Sequence, residues 1–269
     1  MILIVGKHEY LAEEVAMKFR DMHYGSEVLL RNGVRLLDFL SAHAQNTEML
    51  IYVDKQQNGD SEPMSRLEHL QLLWSFSSKY CVPLMLVFFK YNAEYVVDEQ
   101  LDRLASWTSK QFRQPPFHYI FKFGELYGTE GGDSVVDDYY RQISGSGVAN
   151  VNRIVVGGET VERQLDYIHV KDVSRVLYWF LLHRPESGVY ELGSGFPRTD
   201  SAVANAVFRT LRMSPQLKFS DQSSDLKSSI PQMTMDLSHL RHIGYKKPFY
   251  SVEKGVKTYI QKSLLDKKK

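Results

Sequence analysis

The feature that most constrains the fold is the regular alternation of short apolar strands with amphipathic helices along most of the chain. Residues 1–6 form a continuous aliphatic run that ends in glycine, which is typical of a strand buried on both faces of a parallel sheet. Strand–helix alternation at this spacing predicts an α/β fold built on a parallel, doubly wound sheet. Further strands are predicted at 27–30, 49–53, 82–89, 118–123, 152–156, 189–192 and 216–219, and helices at 10–22, 34–43, 66–80, 93–112, 135–144, 172–182, 201–211 and 252–265.

The helical periodicity also predicts which side chains face the core. Apolar residues that recur every three or four positions share one face of a helix. The segments 56–63 and 220–229 are polar and are predicted as loops. The predicted inward set is Leu11, Val15, Met17, Phe19 and Met22 in the first helix, Leu36, Leu37 and Leu40 in the second, and Val173, Val176, Leu177 and Phe180 in the helix at 172–182.

Composition excludes several classes of function. Of 269 residues, 33 are basic and 32 acidic, and this balance argues against nucleic acid or an anionic membrane as the main partner. Cys81 is the only cysteine, which excludes an internal disulfide and a cysteine metal site. The apolar start is too short for a secretory signal, and no run is long enough for a membrane span. We therefore expect a cytoplasmic protein.

The histidines do not predict a metal site. His239 and His242 lie three positions apart on a predicted helix, but the sequence offers no third ligand nearby, and zinc sites need three or four. We expect these two residues at a surface or an interface, and we predict no metal.

Four segments of the chain, from residue 121 onward, resemble one known family, and the order of elements resembles it over nearly the whole chain. The segment 121–128 resembles a strand that ends in Asn-Val-Tyr-Gly, 166–172 resembles Asp-Phe-Ile-Tyr-Val-x-Asp, and 191–195 resembles an Asn-x-Gly-Thr-Gly turn. The chain resembles the extended short-chain dehydrogenase/reductase family, also called NAD-dependent epimerase/dehydratases. The ending, residues 236–249 and 255–259, is most similar to the ADP-glyceromanno-heptose 6-epimerases within it.

The resemblance implies a domain plan. It implies one extended unit over residues 1–269, with a Rossmann-type core mainly at 1–128 and 162–195. A smaller C-terminal substrate-type lobe would lie mainly at 129–161 and 196–269. Members often form homodimers through helices that correspond to 66–80 and 93–112, and Leu67, Leu70, Leu73 and Trp74 would suit such a face. The alternative is that these residues face the chain's own sheet.

The cofactor loop that the resemblance implies is degenerate. A dinucleotide loop of this type reads Gly-x-x-Gly-x-x-Gly, so that the backbone can approach the pyrophosphate. Only Gly6 is retained, Ala12 is a tolerable replacement for the third glycine, and Glu9 places an anion where the phosphate would lie. Lys7 and His8 could offset that charge. The sequence therefore weakens the implied NAD or NADP site.

Arg31 follows the second predicted strand, where NAD enzymes place an acidic residue for the ribose hydroxyls. An arginine there could recognise the 2′-phosphate of NADP. The alternative is a solvated loop arginine. Gly6 and Arg31 are the two residues that we predict to contact a cofactor, if one binds.

The catalytic residues of the family are missing. Its members use a tyrosine in Tyr-x-x-x-Lys as the acid–base group, and the chain contains no such pattern at 90–115, the segment after the fourth predicted strand where the resemblance expects it. The resemblance places Lys90 at the tyrosine position and Glu94 at the lysine position. Tyr91 and Tyr95 are the nearest candidates for a replacement.

Other functional positions of the family are also changed. Its asparagine before Val-Tyr-Gly is Glu125, its basic loop is the acidic segment 129–133, its arginine is Leu165 and its turn asparagine is Glu191. His169 and Ser194 are predicted to have structural roles. We therefore predict no catalytic residue.

Three hypotheses follow from these changes. The leading one is a degenerate epimerase that acts by binding a partner, such as a true epimerase, or a nucleotide-sugar ligand. The second is an active NAD(P)-dependent epimerase or reductase in which Tyr91 or Tyr95 is the acid–base group beside Lys90. The third is a regulator that senses NAD(P) without turnover.

Overall fold

The structure is a computed structural model that describes residues 1–6, 9–30, 36–53, 63–89, 116–128, 134–156, 158–223 and 233–266. The chain forms two compact units. Unit 1 comprises Met1–Phe123, Ser174–Glu191 and His239–Tyr245, and unit 2 comprises Gly124–Val173, Leu192–Ser238 and Lys246–Lys269. In chain order the elements are β1 Ile2–Gly6, α1 Glu9–Asp21, β2 Ser26–Leu30, α2 Leu36–His43, β3 Met49–Val53, α3 Pro63–Tyr80, β4 Leu84–Phe89, β5 His118–Phe123, β6 Glu125–Tyr127, α4 Val135–Ser146, β7 Ala149–Val156, β8 Glu159–Val161, β9 Gln164–Leu165, β10 Tyr167–His169, α5 Val170–His183, β11 Gly188–Leu192, β12 Arg198–Thr199, α6 Asp200–Leu211, β13 Leu217–Ser223, α7 Ser238–His242 and α8 Val252–Asp266.

Unit 1 is built on a six-stranded sheet in the order β11-β5-β4-β3-β1-β2. The pairs from β2 through β5 are all parallel. The residues of β1 and β3 are buried along their whole length, as their unbroken apolar sequences require. This parallel sheet with its flanking helices confirms the predicted α/β Rossmann-type fold.

The core of unit 1 lies on both faces of this sheet. On one face, α3 covers alternate residues of the central strands, including Leu3, Leu50 and Leu84. On the other face, Phe180 of α5 packs edge-on against Tyr119 and Phe121 of β5, at ring-centroid distances of 4.9 and 4.8 Å. The predicted inward set of α5 is confirmed, because all four of its residues are fully buried: Val173, Val176, Leu177 and Phe180.

The inward sets of the first two helices were only partly right. Leu11, Val15, Phe19 and Leu40 are buried, as predicted. The exposed fractions of Met17, Met22 and Leu37 are 41%, 37% and 55%, so these three predictions were wrong. Met17 lies outside the buried stripe of α1, and Met22 follows the end of the helix.

The α3 residues that were considered for a dimer face lie in the core of unit 1. Leu70, Leu73 and Trp74 are buried and belong to the same cluster as the sheet residues. The alternative interpretation, that they face the chain's own sheet, is therefore correct for these three. The side chain of Leu67 and the predicted helix at 93–112 lie outside the described residues.

Unit 2 contains three smaller sheets, in the orders β13-β7-β8, β10-β6 and β12-β9. The helices have ordinary caps: the Ser134 hydroxyl accepts a hydrogen bond from the Asp137 N–H, and Gly147 ends α4 in the left-handed region at φ 74°. The strand predicted at 152–156 begins earlier, at Ala149. The loop predicted at 220–229 was wrong in its first part, because β13 continues through Ser223 in register with β7.

None of the helices in the described part of the chain is both long and apolar enough to span a membrane.

Candidate functional site

The first candidate position is the carboxyl end of β1 in unit 1. The order of strands along the chain reverses between β1 and β3, and ligands of doubly wound folds bind beyond the carboxyl ends of the strands at such a point. Gly6 and Val53 are the last residues of these two strands and lie side by side. The geometry therefore places Gly6 where the resemblance expects the start of a phosphate loop.

Close packing explains why glycine stands at position 6. A Cβ atom on Gly6 would lie 3.2 Å from the Val53 carbonyl oxygen and 3.3 Å from the Val53 Cβ. It would also lie 3.7 Å from the Cβ of Ala12, which is fully buried. The small side chain of Ala12 thus lets α1 pack close to the strand, as predicted for the third position of the loop.

The remaining residues of this candidate site cannot be placed. Lys7, His8, Arg31 and Asn32 lie outside the described residues, as does the side chain of Glu9. The backbone of α1 begins at Glu9, so that residue lies at the positive end of the helix dipole. Of the two predicted cofactor contacts, Gly6 is therefore described and Arg31 is not.

The candidate catalytic segment lies outside the described residues. Lys90, Tyr91, Glu94 and Tyr95 all fall within 90–115. The acidic loop at 129–133 falls outside as well. The hypotheses that rest on these side chains stay sequence predictions.

The family-like segment 166–172 can be examined in unit 2, where Asp166 is the centre of a buried hydrogen-bond network. One carboxylate oxygen, Oδ1, accepts from the backbone N–H and the hydroxyl of Ser194, both at 2.7 Å. The other, Oδ2, accepts from the N–H groups of Gly195 at 2.9 Å and Met235 at 3.1 Å. A buried carboxylate with four donors is fully satisfied, so Asp166 joins three chain segments.

Two glycines make this network possible. A Cβ atom on Gly193 would lie 2.6 Å from Met235 Cγ and 2.7 Å from Asp166 Oδ2, and Gly195 has a positive φ of 77°. Glycine alone tolerates both conditions at low cost. The Gly-Ser-Gly segment is therefore a turn that Asp166 holds in place, and the turn role predicted for Ser194 is confirmed.

Leu165 occupies the position where the resemblance expects an arginine. It is fully buried in β9 and pairs with Arg198 of β12. The nearby Arg163 is not a substitute, because its Nε donates to the carboxylate of buried Asp200 at 2.7 Å. The second oxygen of Asp200 accepts from the Tyr167 hydroxyl at 3.0 Å.

His169 is buried among aromatic rings. Its ring lies 5.2 Å from Tyr127 and 5.0 Å from Tyr250 between centroids, and its Nδ1 accepts from the Lys171 N–H at 3.1 Å. A Cβ atom on Gly128 would lie 2.7 Å from its Nε2. These contacts agree with the structural role that was predicted for His169.

The described tyrosines of unit 2 are poor candidates for a base. Burial raises the pKa of Tyr127, and the neighbouring Glu253 raises it further. Burial also raises the pKa of Tyr139 and of Tyr167, with Asp200 as the next contribution in both. A catalytic tyrosine needs the opposite shift, so these phenols stay protonated near neutral pH.

His239 has structural contacts in unit 1. Its Nδ1 lies 2.9 Å from the Val189 carbonyl oxygen, its Nε2 lies 3.2 Å from the Glu186 carboxylate, and its ring stacks on Tyr190 at 4.3 Å. Within the described ranges, no group of three or more His, Cys, Asp or Glu residues is placed to hold a metal ion.

Sequence comparison identifies relatives of the chain. No family model matches it. The chain is 30% identical over 171 residues to ADP-L-glycero-D-manno-heptose-6-epimerase of Fusobacterium nucleatum, a match that covers 59% of this chain and 52% of the relative. The chain is similar in sequence to the heptose epimerases over this part of their length. It spans about half the length of the relatives that it matches.

Solved structures of nucleotide-sugar enzymes have the same fold as this chain. UDP-glucose 4-epimerase of Thermus thermophilus, in complex with NAD, has a TM-score of 0.72 at 14% identity, over 97% of this chain and 98% of that one. An enzyme of Bordetella bronchiseptica in complex with NAD and UDP has a TM-score of 0.74 at 11% identity, over 97% and 95% of the two chains. The extended dehydrogenase/reductase fold expected from the sequence is confirmed.

Proposed function

We propose that this chain is a degenerate nucleotide-sugar epimerase-like protein that has lost the catalysis of its relatives and acts by binding. The observation that carries the proposal is the contrast between Asp166 and Leu165. Asp166 is retained and fully engaged in the fold, whereas the adjacent position has a buried leucine in place of an arginine. The motif keeps the aspartate that holds the fold together and lacks the arginine that precedes it.

The sequence supports the same conclusion at the other functional positions. The segment 90–115, where the resemblance expects the catalytic pair, has no Tyr-x-x-x-Lys pattern, and Glu9 stands in the loop where backbone would meet phosphate. The same spacing occurs elsewhere, at Tyr167 and Lys171 and at Tyr250 and Lys254. In the described part of the chain, six tyrosines have a raised pKa, with burial as the largest cause. Hydride chemistry of the family type needs a tyrosine that releases its proton readily.

The relatives indicate what such a protein would bind. Their names and the complexes above point to nucleotide sugars and to NAD, so a nucleotide-sugar or dinucleotide ligand is the proposed small-molecule partner. If a dinucleotide binds, Gly6 and Arg31 are the proposed contacts. A homodimer or a heteromer with a true epimerase is the proposed assembly. The cytoplasmic location and the core-and-lobe plan implied by the resemblance stay predictions.

The decisive experiment has two parts. The purified chain is denatured and its supernatant is analysed for NAD(P) by chromatography; apo protein is then titrated with NAD, NADP and NADPH by calorimetry. In parallel, turnover of an ADP-heptose is measured, with an active heptose epimerase as the positive control. We expect no turnover by the chain alone.

The results separate the three hypotheses. Turnover that is lost on changing Tyr91 or Tyr95 to Phe, with the fold intact, would refute the proposal in favour of a rewired enzyme. NAD(P) binding without turnover would favour the sensor, and that ligand should then alter binding to a partner. Absence of both leaves a nucleotide-sugar or protein partner, which is sought by titrating a true epimerase with the chain.

A further inference from the structure

Phe196 is the most exposed large apolar side chain in the described part of the chain. Its exposed fraction is 68%, although burying a phenylalanine is ordinarily favourable. It follows the Gly193–Gly195 turn that Asp166 holds through four hydrogen bonds. The Phe196 N–H also donates to the Ser194 hydroxyl at 3.0 Å, and that hydroxyl lies 3.1 Å from the Phe196 carbonyl oxygen. The backbone that presents this ring is therefore rigid.

A second exposed phenylalanine in unit 2 shows what is unusual about Phe196. Phe219 has its ring covered by the guanidinium of Arg153 at 4.3 Å, and Asp221 holds that guanidinium in a two-bond ion pair. Within the described ranges, Phe196 makes no such ring or cation contact. Its face is available for another planar group.

Arg198 lies two residues after Phe196, with only Pro197 between them. Because proline fixes its own φ, the backbone that joins the two residues has little freedom. The Arg198 side chain is 37% exposed, and its Nη1 donates to the Pro197 carbonyl at 3.3 Å. Its carboxylate partner, Glu253, is 3.7 Å away and 47% exposed, which is a weak, solvent-screened pair.

Glu253 has stabilising contacts besides Arg198. The pKa of its carboxyl is lowered first by a hydrogen bond from its own backbone N–H at the start of α8, and only later by Arg198. A phosphate could therefore replace Glu253 at the guanidinium, since arginine binds phosphate through two parallel hydrogen bonds.

Resting on the binding role proposed above, we infer that Phe196 and Arg198 form a ligand site for an aromatic ring that carries a phosphate group. The ring of the ligand stacks on Phe196, and its phosphate takes the place of the Glu253 carboxylate on Arg198. A nucleotide and a simple aryl phosphate share this chemistry, and the experiment distinguishes them.

The test is calorimetric titration of the chain with ADP, adenosine, phenyl phosphate and inorganic phosphate. We expect saturable binding of ADP and weaker binding of adenosine and of inorganic phosphate. Comparing the affinity for ADP with that for phenyl phosphate shows whether the ribose and the base add affinity. Phe196→Ala and Arg198→Gln should each weaken ADP binding about tenfold, the scale of one lost stacking or phosphate contact. Phe219→Ala is the matched control and should leave the affinity unchanged.

A further variant distinguishes direct binding from a structural effect. Glu253→Gln removes the carboxylate that competes with phosphate for Arg198, so it should strengthen ADP binding. A variant that only destabilised the fold would not bind ADP more tightly. Circular dichroism checks that each variant is folded. The inference is overturned if millimolar ADP does not bind, if Phe196→Ala and Arg198→Gln bind ADP as well as the parent, or if Arg198→Gln alone has no effect. The turnover and NAD(P) assays decide the proposed function independently of these results.

Discussion

The end of β1 in unit 1 and the Asp166 turn in unit 2 both match motifs of the epimerase relatives, but they have been retained to different degrees. At the end of β1, Gly6 and Ala12 keep the small side chains that close packing requires, while the second loop position has become Glu9. Around Asp166, the carboxylate and its glycine turn are all present and bonded to one another.

The difference shows which motif residues have a role in the fold itself. Gly6, Ala12, Asp166 and Gly193 each fill a packing or hydrogen-bonding role that the fold itself needs. Leu165 and Glu9 stand where the resemblance expects groups that face a ligand. Variants that remove a structural residue, or that place an arginine at position 165, therefore test whether structural and ligand-facing positions differ in this way.

The largest effect is expected from Asp166→Ala. It leaves three backbone N–H groups and the Ser194 hydroxyl without their acceptor in a buried site, and loss of a charged partner there costs about 3–5 kcal/mol in the free energy of unfolding. Urea unfolding followed by circular dichroism measures it. Asp21→Ala, at the exposed end of α1, is the control. A loss below about 1 kcal/mol would mean that Asp166 is not the structural centre of unit 2.

The next effect is expected from Leu165→Arg, which restores the residue type of the relatives. The site is fully buried, so the guanidinium would lose hydration while the leucine packing is also lost, at a cost of about 2–4 kcal/mol. The same unfolding experiment applies, with Gln164→Arg on the exposed neighbouring position as the control. If Leu165→Arg kept full stability and gained affinity for ADP, the site would still be an intact phosphate site with one residue missing.

A smaller effect is expected from Gly193→Ala. Its Cβ would lie within 2.8 Å of Met235 and Asp166 atoms, and relieving such overlap typically costs about 1–3 kcal/mol. Gly145→Ala is an informative control, because that position in α4 has no atom within 4 Å of the added Cβ. Alanine there should stabilise the helix by about 0.5–1 kcal/mol. Equal effects of the two variants would show that the turn can relax around a side chain.

Sequence reasoning predicted the sheet more fully than the site. The buried strands could be predicted because their apolar runs are continuous, as in β1 and β3. Met17 and Leu37 were misassigned because apolar residues at the margin of a helical stripe give the same periodicity whether buried or exposed. The extension of β13 was missed because Ser220–Ser223 is polar, and its strand conformation comes from pairing with β7.

For the candidate site, the sequence predicted the missing catalytic residues but not the hydrogen bonds that Asp166 accepts. The absence of Tyr-x-x-x-Lys from the segment after the fourth strand is visible in the sequence alone. The four donors to Asp166 come from residues 28 to 69 positions away, and no local pattern reports such contacts. The exposure of Phe196 was likewise hidden, since a phenylalanine near a strand is usually read as core.

The smallest effect at neutral pH is expected from Tyr190→Phe, and it extends the comparison to phenols that serve the fold. Burial and then Glu186 raise the pKa of Tyr190 to about 12, and its hydroxyl donates to the Glu186 carbonyl at 2.6 Å. Because the folded pKa lies above the value of about 10 in the unfolded chain, this contribution to stability is complete below pH 10. It is lost as the pH rises from about 10 to 12.

Near pH 7 the Tyr190→Phe variant should lose only about 1 kcal/mol in the free energy of unfolding, the worth of one hydrogen bond. Above pH 10 its stability should fall less steeply than that of the parent, measured by unfolding at a series of pH values. Parallel curves for the two proteins would show that Tyr190 ionises as freely in the folded state as in the unfolded one, and the case for tyrosines held protonated by burial would be weakened.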